Sequence, residues 1–305
     1  MSPRLLIIGG SSYLGGHLRR EAADAGLTVM TAGRTSLPGD HHRLDLAADG
    51  ASGIASVIAA AAPSVVVNCA GATAGSPDAL AAANVTAVHA LVTAMLTGQP
   101  RVRLVHIGSA AEYGGTEPGV SVTESAPPRP SSMYGVTKLA GTRLVELAAA
   151  AGLDAVVLRV FNVVGAGAPA DGLPGHAAAQ LRRALAGGGP VAGSGVRLGP
   201  LDGVRDFVDA RDVAAAVLAA ATARTLPHPV LNVGSGNGVP SRVLIKELVA
   251  VSGYDGTVHE DAAGSARSAA LSFQQADIAL TRRDLGWAPR RDLAESVADL
   301  WEACR

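Results

Sequence analysis

The chain has 305 residues, 48% of them apolar, with 25 Lys and Arg against 26 Asp and Glu and a formal charge of −1. That length holds one large domain or two smaller ones around a sizeable core. The near-neutral balance argues against a nucleic-acid or anionic-membrane surface built on bulk charge, yet leaves room for a local site for a small phosphate-bearing ligand. Two cysteines, Cys69 and Cys304, do not suggest a disulfide framework and fit a reducing, cytoplasmic setting. The longest apolar run, Gly53 to Val67, is broken by Pro63, which argues against a membrane span. The N-terminal run Leu5-Leu6-Ile7-Ile8 stops at Gly9, too soon for a secretory signal.

Leu5–Ile8 reads as a buried strand, followed by Gly9-Gly10-Ser11-Ser12-Tyr13-Leu14-Gly15 and by helical spacing over Leu14–Ala25. A strand, a glycine-rich turn and a helix make a phosphate cradle, because backbone N–H groups and the helix N-terminus face the anion. Gly9 allows the tight turn, Gly10 or Ser12 the close backbone approach, and Gly15 the packing of helix on strand. An ordinary tight turn would use the same residues. The next strand, Thr28–Ala32, ends at Gly33-Arg34. An NAD site carries an acid there for the ribose 2′-hydroxyl. Arg34 suits a 2′-phosphate instead, which favours NADP(H); the plainer reading is a surface Arg in a loop. Asp45-Leu46 offers a carboxylate to an adenine amine or, equally, a helix cap. His41-His42 read as exposed loop residues without further ligands at metal spacing.

A helix over Ile54–Ala62 leads to a strand over Ser64–Asn68, and a helix over Leu80–Leu96 to a strand over Arg103–Ile107. This alternation predicts a parallel sheet covered on both faces. Cys69-Ala70-Gly71 lies at the strand edge where such folds bind ligands. Cys69 itself reads as a small buried residue rather than a nucleophile. Ser132–Ala151 is a long helix that carries Tyr134 and Lys138 on one face. Lys138 and Lys246 are the only lysines. A cation beside Tyr134 favours the ionised form of a phenol whose free pKa is about 10. Tyr134 can then give a proton to a carbonyl or take one from an alcohol. Taken alone, the spacing also fits a solvated helical face.

Ala155–Val160 is the following strand. Between Gly165 and Gly203, Gly and Pro loosen the pattern around one helix, His176–Leu185, and Gly187-Gly188-Gly189-Pro190 reads as a flexible connection. Asp206–Asp209, Val213–Ala223 and Val230–Val233 are expected to return to the sheet layer. Ser241–Val251 is a helix with Ser241 as its N-cap, and Leu293–Cys304 closes the chain as an amphipathic helix.

In combination these segments resemble the extended short-chain dehydrogenase/reductases, which modify nucleotide sugars, from Leu5 to about Trp301. Ser109-Ala110-Ala111-Glu112-Tyr113-Gly114 is similar to that family's Ser-x-x-Val-Tyr-Gly. Tyr134 and Lys138 match its Tyr-x-x-x-Lys after the Pro-rich approach Pro127-Pro128-Arg129-Pro130. Arg159-Val160-Phe161-Asn162, Arg205-Asp206-Phe207 and Leu285-Gly286-Trp287-Ala288-Pro289 match further segments. The resemblance implies a doubly wound Rossmann domain over residues 1–164, rejoined by 206–235, and a smaller substrate-binding domain from 165–205 and 236–305. It implies a homodimer through the helices around Leu80–Leu96 and Ser132–Ala151. Ser109, Tyr134 and Lys138 take the catalytic places. Gly9, Ser11, Ser12, Tyr13, Leu14, Gly15, Arg34, Asp45, Leu46, Cys69, Ala70 and Gly71 join Tyr134 and Lys138 in the cofactor site. Ser109, Ala110, Glu112, Asn162, Arg205 and Arg267 are the expected substrate contacts.

Two departures shape the expected activity. Ser12 replaces the middle glycine of the phosphate turn. Ala110 and Ala111 stand where sugar 4,6-dehydratases carry acids, and Glu112 comes one position late, so water elimination is not expected. The acid that usually follows Arg267 is also missing. The resemblance therefore implies an NADPH-dependent ketoreductase on a nucleotide-linked 4-keto-6-deoxysugar, most like reductases of GDP-4-keto-6-deoxymannose. Tyr134 would protonate the ketone, Ser109 would hold its oxygen, and Lys138 would lower the Tyr134 pKa. A nucleotide-sugar 4-epimerase is the alternative, and a cofactor-sensing protein without chemistry a third.

Overall fold

The computed structural model describes residues 3–99, 101–187, 195–261 and 272–304. The first half runs β1 (Arg4–Ile8), α1 (Tyr13–Asp24), β2 (Thr28–Gly33), β3 (His41–Arg43), α2 (Gly50–Ala61), β4 (Val65–Asn68), α3 (Pro77–Ala81), α4 (Ala87–Gly98) and β5 (Arg103–Ser109). Then follow α5 (Met133–Ala150), β6 (Ala155–Val160), β7 (Asn162–Val164), α6 (Leu173–Ala186), β8 (Val196–Arg197), β9 (Val204–Asp209) and α7 (Ala210–Thr222). The last part holds β10 (Val230–Val233), β11 (Gly238–Pro240), α8 (Ser241–Ser252), β12 (Val258–His259), β13 (Phe273–Gln274), α9 (Ala279–Leu285) and α10 (Leu293–Ala303).

Seven parallel strands form the main sheet in the order β10-β6-β5-β4-β1-β2-β3. This is the doubly wound Rossmann arrangement. β4 and β6 are buried at every position, as unbroken aliphatic strands must be when helices cover both faces. Side chains alternate between two apolar layers. Leu6 and Ile8 join Ile54, Leu91, Met95 and Val145 from α2, α4 and α5, while Leu5 and Ile7 join Leu18, Ala22, Val213 and Val217 from α1 and α7. A second sheet, β11-β9-β13 with β7 beside β9, packs with α6, α8 and α10 around Leu181, Leu244, Leu300 and Trp301.

Several expectations are corrected. β9 was expected in the main sheet, but β6 takes β10 as its outer neighbour and β9 pairs with β7 instead. His41-His42 open the edge strand β3 rather than a loop, with His41 Nδ1 2.8 Å from Thr31 Oγ1. Ser241 is the first helical residue of α8; Pro240 is the N-cap, and the Ser241 hydroxyl donates to Gly203 O (2.8 Å). Gly53–Val67 is not the longest apolar stretch in structural terms. Pro77–Gly98 is a 22-residue helical stretch with an 18-residue window of mean hydropathy 1.7, long and apolar enough by length and composition to cross a membrane. Its Val88, Leu91 and Met95 pack into the main-sheet layer, which is why it is so apolar. Gly187 ends α6, and Gly188-Gly189-Pro190 lie outside the described residues.

Candidate active site

Strand order reverses between β1 and β4, and ligands of doubly wound folds sit in the crevice at that point. The two strand exits crowd each other there. Gly9 has φ +77°, and a Cβ on it would lie 2.8 Å from Ala70 N. A Cβ on Gly15 would collide with Gly9 O, and one on Gly10 would meet Thr31 Cγ2 at 2.9 Å. Ser12 caps α1: its hydroxyl accepts from Gly15 N (3.1 Å) and reaches Cys69 O (3.4 Å). Ser11 is exposed, and Leu14 is half-buried against the α1–α7 layer. Tyr13 meets His17 edge-on at 5.2 Å, and its buried hydroxyl has no hydrogen-bond partner among the described residues. Burial, then the charge of Asp209, raises the Tyr13 pKa, so the phenol stays protonated. A turn that only hydrogen fits at two Cα atoms, opening onto a helix N-terminus, suits the diphosphate of a dinucleotide.

Arg34 is exposed just beyond β2, and the Arg43 guanidinium donates to its carbonyl (3.4 Å). Arg43 was missed in sequence because β3 read as loop; its basic character at a strand end was the available signal. Asp45 closes a turn rather than capping a helix: its Oδ1 accepts from Ala47 N (3.2 Å) and Ala48 N (3.3 Å), and the N-cap of α2 is Asp49. Leu46 belongs to the buried layer with Ile54.

Ser109 ends β5 and caps a 3₁₀ turn, Ala110–Glu112, by accepting from Ala111 N (3.2 Å). Ser132 caps α5 by accepting from Gly135 N (3.2 Å). A Cβ on Gly135 would lie 2.5 Å from Ala111 O, so the first turn of α5 rests on the Ser109 turn. Tyr134 is half-buried in that first turn; Lys138, one turn on, is buried and donates from Nζ to Ile107 O (2.6 Å). Burial lowers the Lys138 pKa, and the charge of Glu112 opposes it. The Cys69 thiol is pushed up to about 12 by burial, so it is a neutral packing residue as read. Asn84 was missed. It sits in a π-helical turn, Ala82–Thr86, between α3 and α4, and ties Ala72 to Thr137 through its side-chain amide (2.9 and 3.1 Å). π-turns inside helices recur at functional sites; the hydrophobic period across Leu80–Leu96 gave no sign of it. A Cβ on Gly71 would lie 2.9 Å from Asn84 Oδ1.

Residues 5–234 match the model of the NAD dependent epimerase/dehydratase family. The chain belongs to that family. It is an extended short-chain dehydrogenase/reductase, and thus an oxidoreductase. It is 37% identical, over 98% of this chain and 95% of the relative, to a dTDP-6-deoxy-L-talose 4-dehydrogenase (NAD(P)(+)) of Kitasatospora kifunensis. It is 32% identical, over 99% of this chain and 96% of the relative, to a UDP-glucose 4-epimerase of Streptomyces lividans. Among solved structures, MoeE5 in complex with UDP-glucose and NAD superposes with a TM-score of 0.83 at 28% identity, covering 99% of this chain and 98% of that one.

In this short-chain dehydrogenase/reductase the expected substrate contacts separate into groups. Glu112 is corrected: it has no exposed surface and is spent on Ser109 N (2.8 Å), Thr142 Oγ1 (2.9 Å) and Arg159 Nε (2.7 Å). Its late position turns it inward, under the turn. Ala110 is buried too, its carbonyl accepting from Gln274 Nε2 (2.8 Å). Asn162 donates to Asp206 O (3.2 Å), at the start of the second sheet. Arg205 is 7% exposed in β9, donates to its neighbour's carbonyl, Val204 O (2.8 Å), and burial lowers its pKa. Arg267 lies outside the described residues. The Gly234-Ser235-Gly236 loop is a structural turn, as read: buried Asp206 accepts from Ser235 N (2.6 Å) and Gly236 N (3.0 Å).

Proposed function

We propose that the chain is an NADP(H)-dependent oxidoreductase that interconverts the 4-hydroxyl and 4-keto forms of a nucleotide-linked 6-deoxysugar, reducing the ketone when NADPH is supplied. The observation that carries the chemistry is Lys138, buried and tied to Ile107 O beneath the turn of Ser109 and one helical turn from Tyr134. The Gly9–Gly15 cradle and the Arg34–Arg43 pair suit the diphosphate and the 2′-phosphate of the cofactor. A nicotinamide cofactor held there would supply or accept the hydride at the sugar carbon. Tyr134 gives its phenolic proton to the ketone oxygen in reduction and takes it from the alcohol in oxidation. Ser109 Oγ donates to the same oxygen and orients it. The Lys138 charge favours the tyrosinate left behind. Proton transfer of this kind contributes about 10²–10⁴ in rate.

A 4-dehydrogenase and a 4-ketoreductase are one catalyst run in opposite directions. The similarity to a dTDP-6-deoxy-L-talose 4-dehydrogenase therefore supports this reading and makes a dTDP-linked 4-keto-6-deoxysugar the first substrate to test. The inward Glu112 and the alanines beside Ser109 support a redox step without dehydration. The second reading is a 4-epimerase, favoured by the similarity to UDP-glucose 4-epimerases. The assay follows NADPH absorbance over dTDP-, GDP- and UDP-linked 4-keto-6-deoxysugars. Net NADPH loss is expected, and Tyr134→Phe should cut it about 10²–10⁴-fold with NADPH binding kept. Conversion of a plain sugar nucleotide with no net cofactor change would replace the reading by the epimerase. We also propose a homodimer through α4 and α5, because α5 exposes Met133, Val136 and Leu147. Sedimentation should give twice the chain mass, and a monomer would reject it.

A further inference from the structure

We propose that Glu112 is a positioning residue for the reaction, its buried carboxylate tying the Ser109 turn to helix α5 and balancing the charges of Arg159 and Lys138. The kinetic part of this inference rests on the function proposed above; the electrostatic part does not. Glu112 has no exposed surface. A carboxylate without solvent persists only when its oxygens are well partnered. Glu112 has one partner on each of three elements: Ser109 N at the end of β5, Thr142 Oγ1 on α5 and Arg159 Nε on β6. Thr142 follows Lys138 by four residues and shares its face. Arg159 is itself fixed, lying 4.6 Å over the Tyr113 ring, whose hydroxyl donates to Asn232 Oδ1 (2.7 Å). One side chain therefore sets the spacing between the turn that carries Ser109 and the helix that carries Tyr134 and Lys138.

The charge matters as well. Lys138 is faced by Cys69 after β4, by His106 and Ile107 O on β5, by Glu112, and by Tyr134 on its own helix, with Arg159 beyond Glu112. Burial keeps the Cys69 thiol protonated and His106 neutral. Glu112, paired with Arg159 Nε at 2.7 Å, is the carboxylate of this group. Without it two buried cations face each other, and Lys138 sheds its proton at lower pH.

Glu112→Gln keeps the shape and removes the charge. The chain has only two lysines, so lysine labelled with ¹³C at Cε gives two side-chain signals, and Lys246→Arg assigns them. The Lys138 titration should move down by about one pH unit or more, with Lys246 unmoved. Turnover of the active sugar nucleotide should fall about ten- to a hundredfold at nearly constant KM, and the high-pH limb of kcat should shift with Lys138. Thr142→Val cuts the tie but not the charge, so it should lower kcat and leave the Lys138 titration in place. If Glu112→Gln fails to fold, Glu112→Gln with Arg159→Met removes the second buried cation and should move Lys138 in the same direction. A folded variant lacking Glu112 whose Lys138 titrates as in wild type overturns the proposal. A wild type inactive on every sugar nucleotide, with Lys138 still shifted by Glu112→Gln, sinks the function reading and leaves this one standing.

Discussion

The Arg43 guanidinium, on β3, donates to the backbone carbonyl of Arg34, just beyond β2. On the NADP(H) reading proposed above, a 2′-phosphate held by these side chains would gain charge-assisted hydrogen bonds of about 1.5–3 kcal/mol each. Arg34→Ala should thus weaken NADPH binding about 10–100-fold and leave NADH nearly unchanged, read by cofactor fluorescence titration. Arg43→Ala should do the same more weakly. Equal losses for both cofactors would remove the pair from the 2′-phosphate. At this scale the Tyr134–Lys138 spacing alone was weak, and it became informative only beside the ordered segments around Ser109, Arg159 and Arg205. The sequence was misleading for Glu112. Nothing in a one-residue offset says that the side chain points down to Arg159 rather than up to a ligand, because that depends on a β6 partner 47 residues away.

Among the elements, the turn from β1 into α1 makes the sharpest demand on the chain. Gly15→Ala forces a methyl group against the Gly9 carbonyl, and backbone cannot swing aside as a side chain can. Strain of about 1–3 kcal/mol and loss of NADPH binding are expected. Gly16 offers the contrast: a Cβ there meets nothing within 4 Å, so Gly16→Ala should raise helix stability by about 1 kcal/mol. Thermal unfolding and NADPH titration of the two variants check both statements, and similar behaviour of the pair would defeat the steric account. Helices and buried strands were legible because their apolar periods are long. The π-turn at Asn84, the edge strand β3 and the sheet to which β9 belongs were not, since each is decided by a partner distant in sequence.

For the molecule as a whole, acid should be destabilising through its buried histidines. His17 and His106 are buried and held neutral, with pKa values lowered first by burial and, for His106, then by Lys138. In the unfolded chain both take up a proton below about pH 6.5. A group whose folded pKa is depressed in this way costs stability as pH falls through the unfolded value. Melting temperature should hold near neutrality and drop below about pH 6.5. His106→Gln should flatten part of that drop; an unchanged slope would remove His106 from it. Asp209, held below the ordinary carboxylate range by Arg211 and Ser296 against the effect of burial, adds its loss only at lower pH.

The scarcity of lysine has a practical consequence. Of the two, Lys138 is sealed under the sheet edge, whereas Lys246 stands exposed on α8. Amine-coupling reagents should therefore attach a dye or a solid support at one side chain, besides the terminal amine. Lys138 would be spared without any protecting ligand, and molecules not held by the terminal amine would be tethered through the second sheet's flank.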